Sequence, residues 1–295
     1  MAILLMVNLK GGVAKTANAV AVAECLADEG RNVLLIDADH QCTASELLLG
    51  EERRHRSEKR RQTLHDLLAE MLDDEFEDAS IPPFIVKGAS NIGGGYENLH
   101  VVPCSIRIDD FHSNLAQRRR RHNTLESYHC ELRQRQDKLK TFLQTTYEYV
   151  VVDCPSSLAL HLRVLMTIAD AYIIPAIPDK LSVRGAKALL NRLERANIRV
   201  RSMRPLGLLW SRYQSRAQKH RQMLQCAEQG DEPFDELPVP FSTIIPNAVR
   251  IAESIEEPNK AHPTFVAKYT EPFARLFQDL CIEIRERLNA TEPAA

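Results

Sequence analysis

Residues 10–16 read Lys10-Gly11-Gly12-Val13-Ala14-Lys15-Thr16. Glycines let successive backbone N–H groups turn toward one point, and a helix starting there adds its N-terminal partial charge. A lysine adds a full positive charge. In such a loop Lys15 reaches the β- and γ-phosphates of a nucleotide, and the Thr16 hydroxyl ligates Mg2+. The strict phosphate-loop pattern has glycine, four residues, then Gly-Lys-Ser/Thr; here Leu9 and Ala14 occupy the glycine positions. If Ala14 takes a positive φ, its Cβ costs on the order of 1 kcal/mol. Three carboxylates complete the set, because Asp37, Asp39 and Asp153 all lie at the ends of apolar runs. One such aspartate would read as a helix cap. Three of them beside an anion loop point to phosphoryl transfer, which needs positioning and charge compensation more than covalent chemistry.

These residues require elements that bring strand ends together. Ile3-Leu4-Leu5-Met6-Val7 is continuously apolar, as a strand covered on both faces is. Residues 8–14 form a loop, 17–27 a buried helix that Gly30 stops, and 33–36 a second strand. Strand, loop, helix and strand make a βαβ unit. The rhythm continues with strands at 99–103, 149–152, 171–176 and 206–210 and helices at 124–145 and 182–196. Phe273, Leu276, Phe277, Leu280, Ile284 and Leu288 carry a last helix. The expected fold class is α/β, a doubly wound, mainly parallel sheet flanked by helices. Ligands bind such sheets outside the carboxyl ends of the strands, where the loop and the aspartates lie. We expect one domain over residues 1–295. Residues 50–98 break the rhythm with a basic run at 53–61, a possible helix at 64–72, acidic residues and Gly93-Gly94-Gly95. They read as a charged surface insertion with mobile ends. Residues 118–121 are four consecutive arginines.

Composition excludes several classes. A 295-residue chain with 44% hydrophobic and 26% charged residues builds a sizeable core and is neither disordered throughout nor a disulfide mini-scaffold. Lys+Arg 38 against Asp+Glu 40 gives a net charge of -2, so any nucleic-acid partner must use a local basic patch. The 7 cysteines show no CxxC and no paired Cys/His spacing, and read as reduced thiols. No apolar stretch approaches the roughly 20 residues of a membrane span, and no export signal is apparent.

The run at 10–16 resembles the deviant Walker A motif of the ParA/MinD family, Lys-Gly-Gly-x-Gly-Lys-Thr. Ala14 stands where that family usually has glycine, and Ala17 where a second threonine is common. Val-Leu-Leu-Ile-Asp37-Ala-Asp39-His-Gln41 resembles the family's second motif, and Val-Val-Val-Asp153-Cys-Pro155-Ser156 its Walker B and switch segment. The family usually has proline where His40 and Ser156 stand. Residues 175–185, the strand 206–210 with Arg212, and the stretch 243–253 resemble later family segments, whereas 50–98 matches poorly. The resemblance implies a P-loop ATPase whose Lys10, Gly11, Gly12, Val13, Ala14, Lys15, Thr16 and Ala17 surround ATP, with Pro246 and Asn247 bordering the adenine. Thr16, Asp37 and Asp153 would hold Mg2+ and its water shell. Lys10, Lys15 and Asp39 form the implied catalytic set. Asp39 orients the attacking water, and Lys10 crosses a two-fold sandwich dimer to the partner's ATP like an arginine finger in trans.

The implied function is a partition or positioning ATPase that turns ATP into ADP and phosphate. Its ATP-dependent homodimer binds DNA without sequence preference, and a ParB-like or adaptor partner stimulates hydrolysis, moving a plasmid, chromosome or other cargo in a nucleoid-associated, cytoplasmic cycle. A few basic residues on one face suffice for such DNA binding; Arg192, Arg195, Arg212, Arg216, Lys219, Arg221 and Arg250 are the candidates, with 53–61 a second patch. A MinD-like membrane-cycling ATPase would need a terminal amphipathic helix with a basic polar face. The last helix instead mixes Glu283, Arg285, Glu286 and Arg287, and the tail from Thr291 adds no anchor, so no membrane partner is expected. An iron–sulfur relative would bridge its dimer with cysteines, but the contexts of Cys104, Cys130 and Cys154 do not suggest ligands. Ala14 motivates a further alternative, a nucleotide binder with weak or no hydrolysis. Because the chain opens at the phosphate-loop strand, no N-terminal operator-binding domain is expected.

Overall fold

A computed structural model of the chain describes all residues except 121–123, 197–201, 233, 257–258 and 291–295. Arg121 of the arginine run and the tail from Thr291 therefore lie outside the described residues. Six strands form one sheet: β1 (Ala2–Met6), β2 (Val33–Asp37), β3 (Leu99–Val102), β4 (Tyr149–Asp153), β5 (Ala171–Ala176) and β6 (Arg204–Trp210). Their order is β3-β2-β4-β1-β5-β6, and every neighbouring pair is parallel. The expected doubly wound α/β class is the observed one.

Among the described residues the helices are α1 (Lys15–Asp28), α2 (Thr43–Lys59), α3 (Leu64–Glu70), α4 (Phe111–Arg119), α5 (Leu125–Thr146) and α6 (Leu160–Ile168), followed by α7 (Lys180–Glu194), α8 (Gln218–Gln229), α9 (Val249–Glu256), α10 (Phe265–Tyr269) and α11 (Phe273–Asn289). Alternation along the strands sorts the core into two layers. Ile3, Leu5 and Val7 face one layer with Leu68, Leu139, Leu162 and Leu189 from α3, α5, α6 and α7. Ala2, Leu4 and Met6 face the other, with α1, α2, α10 and α11. Each fully buried Leu or Val contributes about 1.5–3 kcal/mol. No helix among the described residues is long and apolar enough to cross a membrane.

The central helix is short-chained for a reason. α1 carries five alanines and is buried along nearly its whole length, so it lies close against the sheet. It stops as the sequence predicts. Gly30 has φ +81, its N–H donates to Ala27 O at 2.9 Å, and Arg31 N–H donates to Leu26 O at 3.0 Å. Such a left-handed cap satisfies the last helical carbonyls.

The stretch 50–98 combines surface charge with core packing. Much of the basic run continues α2 beyond a kink at Gly50 (φ 69), and the Arg53 guanidinium donates to the carbonyls of Lys87 and Gly88, each at 2.7 Å. Farther on, Leu64, Leu67, Leu68, Met71, Phe76 and Ile81 are buried in the first layer, and Ala89 and Ile92 in the second. Arg118, the first of the four consecutive arginines, is buried and paired with Asp74 and Glu131.

Candidate functional site

β1 ends at the centre of the sheet. The chain leaves it toward β2 on one side, and leaves the adjacent β4 toward β5 on the other, which opens a crevice at the strand ends. Asn8, fully buried, fixes the start of the loop there. Its side-chain amide donates to Pro175 O at 2.8 Å, and its Oδ1 accepts the N–H of Lys10 at 3.0 Å. Gly12 has φ +74, and Ala14 sits in the left-handed region at φ 64, ψ 32. α1 begins at the next residue with no side-chain cap, and Ala14 to Asn18 line the crevice. Uncapped N–H groups at a helix start favour an anion. Lys15 is buried, and its Nζ donates to Ser156 Oγ at 3.0 Å and to Lys10 O at 3.4 Å. Burial pushes the Lys15 pKa down, and Asp153 is the foremost charge opposing that.

The aspartates are placed by strand register. β2 and β4 pair so that Asp37 stands directly beside Asp153, and both are fully buried. Asp37 is well held. It accepts from Ser45 N at 2.8 Å, Ser45 Oγ at 2.5 Å and Asp39 N at 3.1 Å, and Ser45 Oγ itself accepts from Cys104 N at 2.8 Å. Burial nonetheless pushes the Asp37 carboxyl up to about 6. Neither oxygen of Asp153 has a hydrogen-bond partner among the described residues. Burial, and then the charge of Asp37, push its pKa well above the usual carboxylate range. A buried carboxylate without donors is costly unless a cation or proton compensates it. Among the described residues no group of three or more His, Cys, Asp or Glu could hold a metal by itself. The donor set fits a hard cation that arrives with phosphates, since Mg2+ takes only one or two protein oxygens and completes its shell with phosphate and water.

Asp39 lies at the crevice rather than behind it. Its side chain is 18% exposed, and its Oδ1 accepts the Gln41 N–H at 3.1 Å. His161 on α6, where the chain continues from the Asp153 loop, is buried with Nε2 at 3.0 Å from Ala38 O. It ties the two carboxylate-bearing loops together.

The crevice has a volume of about 440 Å3. Gly12, Ala14, Lys15, Thr16, Ala17 and Asp39 line one side, and Pro246 and Asn247 stand opposite with Ile245, Ala248 and Ile251. Backbone bonds from Ile245 N to Trp210 O and from Asn247 N to Tyr213 O, both 2.8 Å, hold that wall against the end of β6. Val13 is buried beneath the loop, Lys10 and Gly11 are exposed outside the lining, and Asp37 and Asp153 lie at the strand ends behind it. Four residues went unassigned to the crevice or its carboxylates on sequence grounds. Asn18 donates to Ser211 Oγ at 2.8 Å, with its Oδ1 left without a partner. Ser156 contacts Lys15, and Ser45 holds Asp37. Arg212, one of the DNA candidates, lines the crevice with its guanidinium on Gly12 O at 3.0 Å. An asparagine within an alanine-rich buried helix is a signal that reading could have used.

The remaining basic candidates lie on several elements. Arg192 and Arg195 stand at the end of α7 beside a separate groove. Arg250 is tied to Glu253 at 3.4 Å and to Ala267 O at 3.0 Å. Arg216, Lys219 and Arg221 are exposed around the start of α8, with Arg221 donating to Ser215 O at 3.0 Å.

The sequence model of a family described as "AAA domain" matches residues 1–203. The sporulation initiation inhibitor protein Soj of Bacillus subtilis is 28% identical over 287 residues, covering 96% of this chain and 97% of Soj. The chromosome partitioning protein ParA of Caulobacter vibrioides is 29% identical over 256 residues, covering 85% of this chain and 83% of ParA. In fold, the chain is similar to an ATP complex of McdA from Cyanothece, with a TM-score of 0.68, 18% identity, and 100% and 99% of the two chains covered. A family match across the phosphate loop and five of the six strands, joined to partitioning relatives that align along most of their length, leads to one assignment: this chain belongs to the ParA/MinD-type P-loop ATPase family.

Proposed function

We propose that this protein is a ParA-type partition or positioning ATPase, which binds Mg-ATP in the crevice and hydrolyses it to ADP and phosphate as a sandwich homodimer. The observation that carries this reading is the pairing of an uncapped helix start and buried Lys15 with the adjoining carboxylates Asp37 and Asp153. The first suits phosphates and the second suits their cation. In this reading Lys15 neutralises β- and γ-phosphate charge, Thr16, Asp37 and Asp153 hold Mg2+ and its waters, and Asp39 orients the attacking water at the crevice wall. Bound Mg2+ supplies charge neutralisation across the phosphates. Pro246 and Asn247 border the base. Lys10 reaches the nucleotide of the second protomer. The dimer binds DNA without sequence preference through Arg216, Lys219 and Arg221, the candidates exposed around the start of α8, and a ParB-like or adaptor protein stimulates hydrolysis. This cycle runs on the nucleoid in the cytoplasm.

The membrane-cycling alternative is disfavoured by α11. Its apolar residues Ala274, Phe277, Leu280, Cys281 and Ile284 are buried in the core. On its polar side Glu283 accepts from Ser242 and Thr243, Arg287 bonds Glu283, and Arg285 bonds Glu29. Phosphate release measured with and without a nonspecific duplex tests the proposal. Wild type turns over ATP; Lys15→Ala loses nucleotide binding; Asp39→Ala keeps binding and loses turnover. Turnover that survives in Asp39→Ala, or nucleotide binding that survives in Lys15→Ala, would overturn the assignment of roles.

A further inference from the structure

A second groove, about 960 Å3, opens between α4, α5, α6 and α7. Its wall carries Leu115, Leu132, Leu158, Val164 and Leu193, an apolar floor within reach of solvent. Around that floor stand five arginines, Arg119, Arg133, Arg163, Arg192 and Arg195, and among the described residues no carboxylate lines it. None of the five makes an ion pair or side-chain hydrogen bond among the described residues. The contrast with Arg118 and Arg135 on the same two helices is direct, since both of those are buried and paired with Asp74 and Glu131. Guanidinium groups held around a common depression without counter-charges repel one another, and a ligand bearing carboxylates relieves that repulsion.

We propose that this groove docks an amphipathic helix from a partner protein whose apolar face is flanked by Asp or Glu. The combination of floor and rim selects the class of occupant. A helix laid in a groove buries an apolar stripe and leaves its flanking positions over the rim, and arginine takes carboxylates bidentately. The sugar–phosphate backbone of a nucleic acid would match the rim alone and leave the leucine floor uncovered. The inference does not depend on the nucleotide reading, because neither the floor nor the five arginines line the crevice.

The test uses the whole chain without nucleotide. Three fluorescent probes are titrated: a synthetic helical peptide with leucines on one face and glutamates on the other, about 20 residues or 30 Å long; the same peptide with lysines for glutamates; and a nonspecific DNA duplex. The expected result is binding of the acidic peptide that weakens with salt, little binding of the basic one, and about a tenfold loss in Arg133→Glu/Arg163→Glu. Both positions are exposed and unpaired, so the variant keeps its far-UV spectrum and its phosphate release. Leu132→Asp should weaken the same peptide through the floor. Equal binding of the two peptides, no binding of either, or a duplex affinity that alone depends on Arg133 and Arg163 would overturn the proposal.

Discussion

Ala14 holds φ 64 and ψ 32 at the turn into α1, a conformation that costs an L-residue about 1–2 kcal/mol and glycine far less. Ala14→Gly should therefore stabilise the protein by about 0.5–1 kcal/mol, reversing the usual sign of an alanine-to-glycine change. Thermal unfolding of the nucleotide-free protein checks it, and a lower midpoint in the variant would show that the loop is not strained there. The carboxylates beneath that turn give a pH dependence of definite sign. The folded-state pKa of Asp37, about 6, lies above the ordinary 3.8, because burial disfavours its charge. Protonation thus stabilises the fold. That contribution is complete below the ordinary value and is lost as pH rises through about 6. Asp153 shifts the same way. Nucleotide-free protein should lose stability between pH 5 and pH 7, and Mg-nucleotide should restore more of it at pH 7, because the cation needs the ionised carboxylates. Denaturant midpoints with and without Mg-nucleotide across that window measure both effects. A nucleotide-free midpoint that rises toward pH 7 has the wrong sign for this account.

The elements around the crevice are locked to one another by a few buried contacts. On α1, Glu24 is fully buried and meets Lys268 of α10 at 2.7 and 2.9 Å, with Tyr269 OH and Ser90 Oγ donating to it at 2.7 Å each. Removing one partner of such a pair leaves a buried charge and costs about 3–5 kcal/mol. Lys268→Met should lower the unfolding midpoint by roughly 10 °C, whereas Glu24→Leu/Lys268→Met should cost less than the two singles combined. Additive losses would mean that the pair is not coupled. α7 is set against the phosphate loop through Gly185, where a Cβ would lie 2.9 Å from Asn8 Oδ1 and 3.1 Å from Lys10 Cβ. Gly185→Ala gains about 1 kcal/mol of helix propensity yet pushes on the loop, so nucleotide affinity should fall several-fold with little change in unfolding midpoint. Unchanged affinity would show that the loop yields freely. These contacts also mark the limit of what sequence conveys. The strand ends and their aspartates were legible, because β1, β2 and β4 are unbroken apolar runs that each stop at the site. Ser45 was not, because its bond to Asp37 depends on how α2 folds back after Cys42 (φ 56). Arg212 was read as a candidate DNA contact because its turn toward Gly12 depends on φ 55 at that residue. The pairing of Arg118 was not legible either, because its partner Asp74 is 44 residues away. Charge along a chain does not reveal such pairings, whereas an apolar period does reveal burial.

For the molecule as a whole, the decisive residue is Lys10. Its backbone is held from both sides, by Asn8 Oδ1 on its N–H and Lys15 Nζ on its carbonyl. Its side chain is exposed and makes no hydrogen bond or ion pair among the described residues. A fixed main chain with a solvent-facing ammonium beside a phosphate site suits a group that acts on a second copy, and in a two-fold dimer each copy then supplies the other. Light scattering should find monomers without nucleotide and dimers with Mg-ATP in the slow-turnover variant Asp39→Ala. Lys10→Ala should bind ATP nearly as wild type but dimerise weakly and lose most turnover, whereas Lys15→Ala should fail at binding itself. The proposed DNA binding depends on the same assembly. If Arg216, Lys219 and Arg221 each neutralise a phosphate, alanine at all three lowers the slope of log affinity against log salt by about 2.7 per protomer, or about 5.4 for the dimer. ATP should raise affinity only in proteins that retain Lys10. A Lys10→Ala protein that dimerises and binds duplex as wild type would remove this lysine from the trans role, and duplex binding insensitive to ATP would separate the nucleotide site from the DNA face.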